Sequence, residues 1–500
     1  MYPGAHDPDR AAVVMAESGA TVTYGQLESR SIRLARHWHE RGLRPGDHVA
    51  ILLENHPRYF EVVWAALRSG LYYTPVNVHL TAGEVAYVLA DCGARAVVTS
   101  PAQVAKLGEF GDDIDVLVVD ENYADALDAQ PAEPPDDQPC GHGMFYSSGT
   151  TGRPKGILFP PPDRQVTDDD PMVQTGSPLG LADGCVYLLP APLYHTSPVV
   201  TGALCHRYGG TVVVMERFDP IACLETIEQY QVDVGQFVPT MFVRLLKLAD
   251  EVRNSFDLGS LRHVSHAAAP CPVDVKHRMI EWWGPIILEF YAGSENVGST
   301  MITSEEWLAH PGSVGLPRFC TTHICDDDFN ELPTGEIGNV WFDTPGAAME
   351  YHGDPEKTAE NRSPEGWYTM GDVGRVDDDG YLYLTDRKTF MIISGGVNIY
   401  PQESENVLIG HPAVLDVAVI GVPNDDLGEE AKAVVQLVDP AAASDDLAAE
   451  LLAWCQEGLA RYKCPRSVDF TEQLPREDSG KLYKRRLRDH YWGDRESRIV

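Results

Sequence analysis

The segment richest in chemistry is Tyr146-Ser-Ser-Gly-Thr-Thr-Gly-Arg-Pro-Lys-Gly156. Ser147, Ser148, Thr150 and Thr151 supply hydroxyls, Gly149 and Gly152 let backbone N–H groups approach an anion closely, and Lys155 adds a mobile positive charge. A loop of this make-up suits the oxygens of a phosphate. Composition alone would equally suit a flexible surface loop. A Walker A loop is excluded, because Gly152 is followed by Arg-Pro-Lys and not by Lys-Ser/Thr. That weighs against a P-loop kinase. No Ser/His/Asp arrangement for acyl transfer stands out. The ten cysteines form no CxxC or Cys/His cluster of zinc spacing, and they read as small buried hydrophobes in a reducing compartment.

Further segments follow in order: Ala268-Ala-Pro270, Phe290-Tyr-Ala-Gly-Ser-Glu295, Gly366-Trp-Tyr-Thr-Met-Gly-Asp372, Asp386-Arg387 before Ile393-Ser-Gly-Gly-Val-Asn-Ile-Tyr-Pro401, and Pro475-Arg-Glu-Asp-Ser-Gly-Lys481. Taken with the first loop, they resemble the adenylate-forming superfamily, which holds acyl-CoA synthetases, peptide-synthetase adenylation domains and luciferases. The resemblance spans nearly the whole chain. It implies that Ser147 to Gly152 and Lys155 meet the phosphates of ATP. Ala268, Ala269 and Pro270 would contact adenine, on which Tyr291 stacks beside Ala292 and Ser294. Glu295 and Thr150 would hold Mg²⁺, Asp372 the ribose hydroxyls, and Arg387 the ribose or a phosphate. Thr389 falls at the interdomain hinge, and Gly395-Gly396 at the loop that meets a pantetheine thiol. Lys481 takes the position of the catalytic lysine. Tyr194, His195 and Gly293 fall beside the acyl site, with His195 also a candidate catalytic group.

Each assignment has a physical reason and a plainer rival. Glu295 is a hard oxygen ligand of the kind Mg²⁺ takes alongside substrate phosphates, but alone it reads as a surface glutamate. Asp372 can accept from two ribose hydroxyls, yet Gly-Asp is also an ordinary turn. Arg387 beside a strand is usually solvated, and an isolated histidine such as His195 is more often structural than catalytic. Lys481 would offset charge developing during attack on the α-phosphate; its rival is a solvated charge in a basic tail. The resemblance also has departures. Thr389 stands where relatives carry Asp or Lys, Met370 replaces a threonine of the ribose motif, and Ala292 replaces a common glycine.

These groups need a scaffold, and the pattern indicates a layered α/β fold. Thr23-Tyr-Gly-Gln26 and Thr81-Ala-Gly-Glu84 have capping-box form. Leu27, Leu34, Ala35 and Trp38 then recur at helical spacing until Gly42. A second helix is expected over about 59–68. Val49 to Leu53 and Ala96 to Thr99 read as buried strands, and the alternation predicts a largely parallel sheet. From Asp120 to Gln138 the acidic, Pro/Ala-rich composition predicts an exposed loop or linker, and Pro160 to Pro171 a surface excursion. After residue 386 short strands and two helices, one at 447–459, suggest a small α+β module. At 500 residues the chain is beyond the roughly 250–300 that one core usually serves. The division expected is 1–388 for ATP and acyl binding and 389–500 for a mobile domain carrying Lys481.

Net charge is −36, from 75 acidic against 39 basic residues, which disfavours nucleic acid and anionic membrane as partners. No apolar run is long enough for a membrane span, and the N-terminus lacks signal-peptide character, so a cytoplasmic protein is expected. The resemblance implies an AMP-forming acid–thiol ligase. It would use ATP and Mg²⁺ to turn a carboxylic acid into acyl-AMP, then pass the acyl group to coenzyme A. The acid expected is bulky and hydrophobic, fatty or polycyclic. The alternatives are loading of a phosphopantetheine carrier protein, stopping at acyl-AMP, a luciferase-like oxygenase, or a nucleotide-binding regulator without turnover. Self-association into a homodimer is left open.

Overall fold

The computed structural model describes residues 1–108, 114–147, 154–424, 426–476 and 482–493. Both capping boxes form. The Thr23 hydroxyl accepts from Gln26 N–H at 3.2 Å and the Gln26 carboxamide from Thr23 N–H at 3.0 Å, starting the helix Tyr24–Glu40. Thr81 and Glu84 do the same for the helix Ala82–Asp91. Leu27, Leu34 and Trp38 lie on the buried face of the first helix, as their spacing requires.

The predicted alternation becomes two sheets. One has strands Asp115–Val118, Ala94–Thr99, His48–Leu52, Tyr72–Pro75 and His142–Gly143 in that order, all parallel. The other has nine strands. Its middle runs through Ile287–Ala292, His263–His266, Val234–Phe237, Val186–Leu189, Thr211–Val214 and Ala11–Met15, all parallel, with antiparallel strands at both edges. Helices cover these strands, which explains their unbroken Val/Ile/Leu character. Two smaller antiparallel sheets follow. One pairs Lys155–Leu158 with Phe145–Ser147 and Glu350–Tyr351, and the other contains Asp372–Val376 and Leu382–Arg387.

The C-terminal part is a separate sheet with helices, as expected, but its strands are not short. Val414–Asn424 and Gly428–Leu437 form a long antiparallel ribbon, with Ser467–Thr471 added parallel to it. Three helices accompany it among the described residues, Pro401–Leu408, Asp445–Gly458 and Lys484–Trp492. The segment 120–138 also departs from the loop expectation. Within it lies the helix Tyr123–Asp128, because Tyr123 and Leu127, four apart, share one face and are both buried. Tyr123 further donates to the buried Glu61 carboxylate at 3.2 Å. The 160–171 segment does run over the surface, pinned by Val166, which is buried. Eight of the ten cysteines are buried. Among the described residues, no helix is long and apolar enough to cross a membrane.

Candidate active site

Four neighbouring parallel strands end on the same side of the large sheet, and the candidate residues leave from their carboxyl ends. Val186–Leu189 leads to Tyr194 and His195, Val234–Phe237 to Val238, His263–His266 to Ala267–Pro270, and Ile287–Ala292 to Gly293–Glu295. Loops leaving successive parallel strands at one edge necessarily converge, and this is where α/β sheets bind ligands. Here they border a cleft of about 2350 Å³ that continues between the large and small domains.

Within the cleft the sequence candidates meet through specific bonds. Tyr291 donates its hydroxyl to Asp372 Oδ2 at 2.5 Å, and Arg387 Nε lies 3.3 Å from Asp372 Oδ1. Asp372 and Arg387 face each other because their strands pair antiparallel with these two residues in register. Burial holds the Asp372 carboxyl above the ordinary carboxylate range, against the pull of Arg387 and the tyrosine hydrogen bond. Glu295 Oε1 accepts from Tyr351 at 3.0 Å, and Ser294 shares a hydrogen bond with Thr196 at 2.9 Å. Two non-glycine residues in these loops are left-handed, Ala268 at φ 75° and Asn296 at φ 48°. Backbone strain of this kind tends to collect at binding loops.

Lys155 begins its strand at the cleft edge, and its Nζ lies 2.6 Å from Asp354 Oδ2, which raises the amine above its usual range. The pairing of Tyr351 with Ile157 delivers Asp354 to that position. Sequence reading missed Asp354 and Tyr351, because only the folded chain makes Asp354 a neighbour of Lys155 through the strand pairing, and Tyr351 a neighbour of Glu295, 56 residues away. Ser147 ends the strand Phe145–Ser147. Ser148, Gly149, Thr150, Thr151, Gly152 and Lys481 lie outside the described residues.

Tyr194 is buried, His195 is half-buried at the N-cap of the helix Thr196–Arg207, and their rings pack at 4.5 Å. Gly293 is needed for space. A Cβ there would stand 2.5 Å from Met370 Sδ and 2.6 Å from Glu295 Oε2. The departure at Met370 thus has a structural place, as its thioether fills the gap over Gly293. The neighbouring Thr369 hydroxyl is already engaged with Val340 O and Gly371 N–H. Ala292 is exposed.

From the small domain, Arg476, Leu482, Tyr483 and the helix Lys484–Trp492 border the cleft. Gly395 and Gly396 do not. They form an exposed turn between Ile392–Ser394 and Val397–Ile399, at φ 57° and 80°. Thr389 is exposed in the short turn Lys388–Phe390. Its carbonyl accepts from Arg488 at 3.3 Å, and the adjacent Lys388 pairs with Asp327 at 2.5 Å.

Mg²⁺ fits this donor set. Glu295 offers one carboxylate at the cleft, and among the described residues no cluster of three His, Cys, Asp or Glu competes as a metal site. Mg²⁺ characteristically takes one or two carboxylates and completes its shell with phosphates and water.

The chain matches the AMP-binding enzyme family over residues 3–352, and the C-terminal domain of that family over 403–481. It is 36% identical over 490 residues to a feruloyl-CoA synthase of an Amycolatopsis species, with 96% of each chain covered. It is 30% identical over 515 residues to a fatty acid–acyl-carrier-protein ligase of Streptomyces coeruleorubidus, covering 99% of this chain and 96% of the other. Among solved structures it superimposes on ATP-bound MatB from Rhodopseudomonas palustris with a TM-score of 0.82 and 28% identity, with 97% of each chain covered. Four strand ends aim their loops into one cleft lined by the motif residues, and the family models cover both domains. This chain therefore belongs to the AMP-binding enzymes of the adenylate-forming superfamily, as an acid–thiol ligase with that superfamily's large N-terminal and small C-terminal domain.

Proposed function

We propose that the enzyme activates a bulky hydrophobic carboxylic acid, fatty or polycyclic, as its acyl-AMP and then transfers the acyl group to the thiol of coenzyme A. The single observation that carries the first half is the Tyr291–Asp372–Arg387 cluster opposite Glu295 in one cleft. Asp372 accepts the ribose hydroxyls, Tyr291 covers adenine, and Arg387 reaches ribose or phosphate. Lys155 exchanges Asp354 for an ATP phosphate, aided by the Ser147–Gly152 loop. Glu295, with Thr150, holds Mg²⁺, which screens the charge on the phosphates when bound.

The acid's carboxylate attacks the α-phosphorus in line, and pyrophosphate leaves with the electron pair of the broken P–O bond. This displacement needs orientation more than a protein nucleophile, in keeping with a site built from positioning groups. Lys481 offsets charge on the α-phosphate and carboxylate. His195 and Tyr194 form the wall beside the acyl group, and Gly293 leaves room for its passage. In the second step residues 389–500 rotate about Thr389 as a body, taking Lys481 away and bringing Gly395-Gly396 to the pantetheine arm. The position of the glycine turn outside the cleft supports that division, since the turn must move to take part. Apolar side chains along the cavity, Val200, Leu204 and Phe237 among them, favour a hydrophobic acyl body. The free thiols favour a cytoplasmic setting.

The test is exchange of pyrophosphate into ATP with a panel of acids, with and without coenzyme A. Lys481→Ala is expected to abolish exchange yet form thioester from supplied acyl-AMP. Equal loss of both half-reactions would refute the division of labour. One specific observation favours a second acceptor. The similarity to a carrier-protein ligase extends over 99% of this chain, so a phosphopantetheine carrier belongs in the same assay.

A further inference from the structure

The wall of the acyl cavity contains a line of hydrogen bonds that a hydrocarbon substrate would leave unfinished. Tyr187 rises from the strand Val186–Leu189, Gln236 from the adjacent Val234–Phe237, and Ser197 and Thr201 from one face of the helix Thr196–Arg207. Thr201, one turn beyond Ser197, neighbours the Tyr187 hydroxyl. Tyr187 donates to Gln236 Oε1 at 3.2 Å, and Gln236 Nε2 donates to Ser197 Oγ at 2.9 Å. Tyr187, Thr201 and Gln236 are 1%, 5% and 7% exposed. Gln236, Ser197 and Thr201 border the cavity.

The bookkeeping of donors is what makes this a site. A carboxamide has two N–H groups and a serine one O–H. Among the described residues, the bonds above use one Gln236 N–H and leave the other and the Ser197 O–H over. Every link points the same way, so the chain ends in donors and needs an acceptor. Gln236 is buried and Ser197 half-buried at the cavity wall; a buried amide N–H without a partner is costly, whereas an oxygen delivered by the substrate would complete the line.

The helix sets the depth. Thr196, at its start, is bonded to Ser294 beside the nucleotide motif. At 1.5 Å per residue, Thr201 lies about 7.5 Å further along the helix and Leu204 about 12 Å. Leu204, Leu179 and Met172 border the cavity beyond. The donors therefore face the body of the acyl group, between its carboxylate and an apolar end.

Resting on the acid activation proposed above, we infer that the preferred substrate is an oxygenated acid. It carries a hydroxyl, ether or keto oxygen along its hydrophobic body, read by Gln236 and Ser197 and held in line by Tyr187 and Thr201. An acid of the same skeleton without that oxygen fits the space but strands the donors.

The experiment is pyrophosphate exchange with matched pairs of acids. Suitable pairs are cinnamic acid against its ring-hydroxy and ring-methoxy derivatives, and decanoic acid against its mid-chain hydroxy and oxo derivatives. In the wild-type enzyme at least one oxygenated member is expected to exceed its parent in kcat/KM by about 10- to 100-fold, the effect of one buried donor left unpaired. Gln236→Met, which keeps the volume and removes the amide, should bring that ratio towards one, and Thr201→Val should lower it less. Parity within threefold for every pair in the wild type, or a ratio unchanged in a folded Gln236→Met enzyme, would overturn the inference while leaving acid activation intact. Exchange with no acid at all would overturn the activation reading and this inference with it. The wild-type pairs decide the matter even if a variant fails to fold.

Discussion

Gly293→Ala tests how tightly the Glu295 carboxylate is positioned. The added methyl would lie 2.5 Å from Met370 Sδ, 3.2 Å from Met370 Cγ and 2.6 Å from Glu295 Oε2. Comfortable non-bonded separations are about 3.5–4.0 Å, so roughly 1 Å must be found on each side. Met370 can yield, because its thioether turns about three bonds. Glu295 is less free, since Oε1 is held by Tyr351 at 3.0 Å, and moving Oε2 aside pulls on that bond. A reacting or charge-bearing group misplaced by about 1 Å can cost up to about 10²-fold, or about 2.7 kcal/mol of barrier. We expect kcat/KM for pyrophosphate exchange to fall 10- to 100-fold, with a raised Mg²⁺ requirement and the fold intact by thermal unfolding. Gly293→Ala/Met370→Ala should recover part of the loss, because only one of the two clashes is relieved. A folded Gly293→Ala enzyme within twofold of wild type at both limiting and saturating Mg²⁺ would refute the placement of Glu295 as the metal-holding carboxylate.

Two further outcomes follow from buried charges. Asp372 is held above the ordinary carboxylate range mainly by burial. In its proposed role it must be ionised to accept two ribose hydroxyls, so AMP affinity should fall on acidification at a higher pH than an ordinary aspartate would give. Asp372→Asn should bind weakly and lack that acid limb; a limb retained in the variant would assign it elsewhere. For stability the sign is opposite, because a carboxyl raised by folding contributes most below the unfolded pKa and loses that contribution as pH rises through its folded value. On the strand Ile287–Ala292, Glu289 Oε2 lies 2.6 Å from Lys276 Nζ, with both side chains buried. His266, 3.5 Å from the same oxygen, is held neutral chiefly by its burial, with the Lys276 charge adding to that effect. Lys276→Met should cost about 3–5 kcal/mol by leaving the carboxylate unpaired, seen as a fall of several degrees in Tm. A Tm within a degree of wild type would show that Glu289 finds another partner or stays protonated.

Local elements and the reactive motifs were legible from sequence because each is specified by residues close together. A capping box needs Thr23 and Gln26 three apart, a buried helix face needs Leu27, Leu34 and Trp38 in phase, and the run 146–156 contains its own glycines and hydroxyls. Composition misled where a few side chains outweighed it. Tyr123 and Leu127 turn an acidic stretch into a docked helix, and the strand Val414–Asn424 stays paired straight through Gly421 and Pro423, residues that ordinarily break a strand. What tertiary structure alone decided is which groups face each other. Asp354 reaches Lys155 through one strand pairing, and Asp372 meets Arg387 through another. The Tyr187–Gln236–Ser197 line exists only because two parallel strands and a helix pass one cavity. Motif chemistry is local along the chain, whereas substrate choice is set by side chains that become neighbours only when the sheet forms. For this enzyme the sequence therefore determined the family and the class of reaction, and the fold determined which side chains face one another across the cleft.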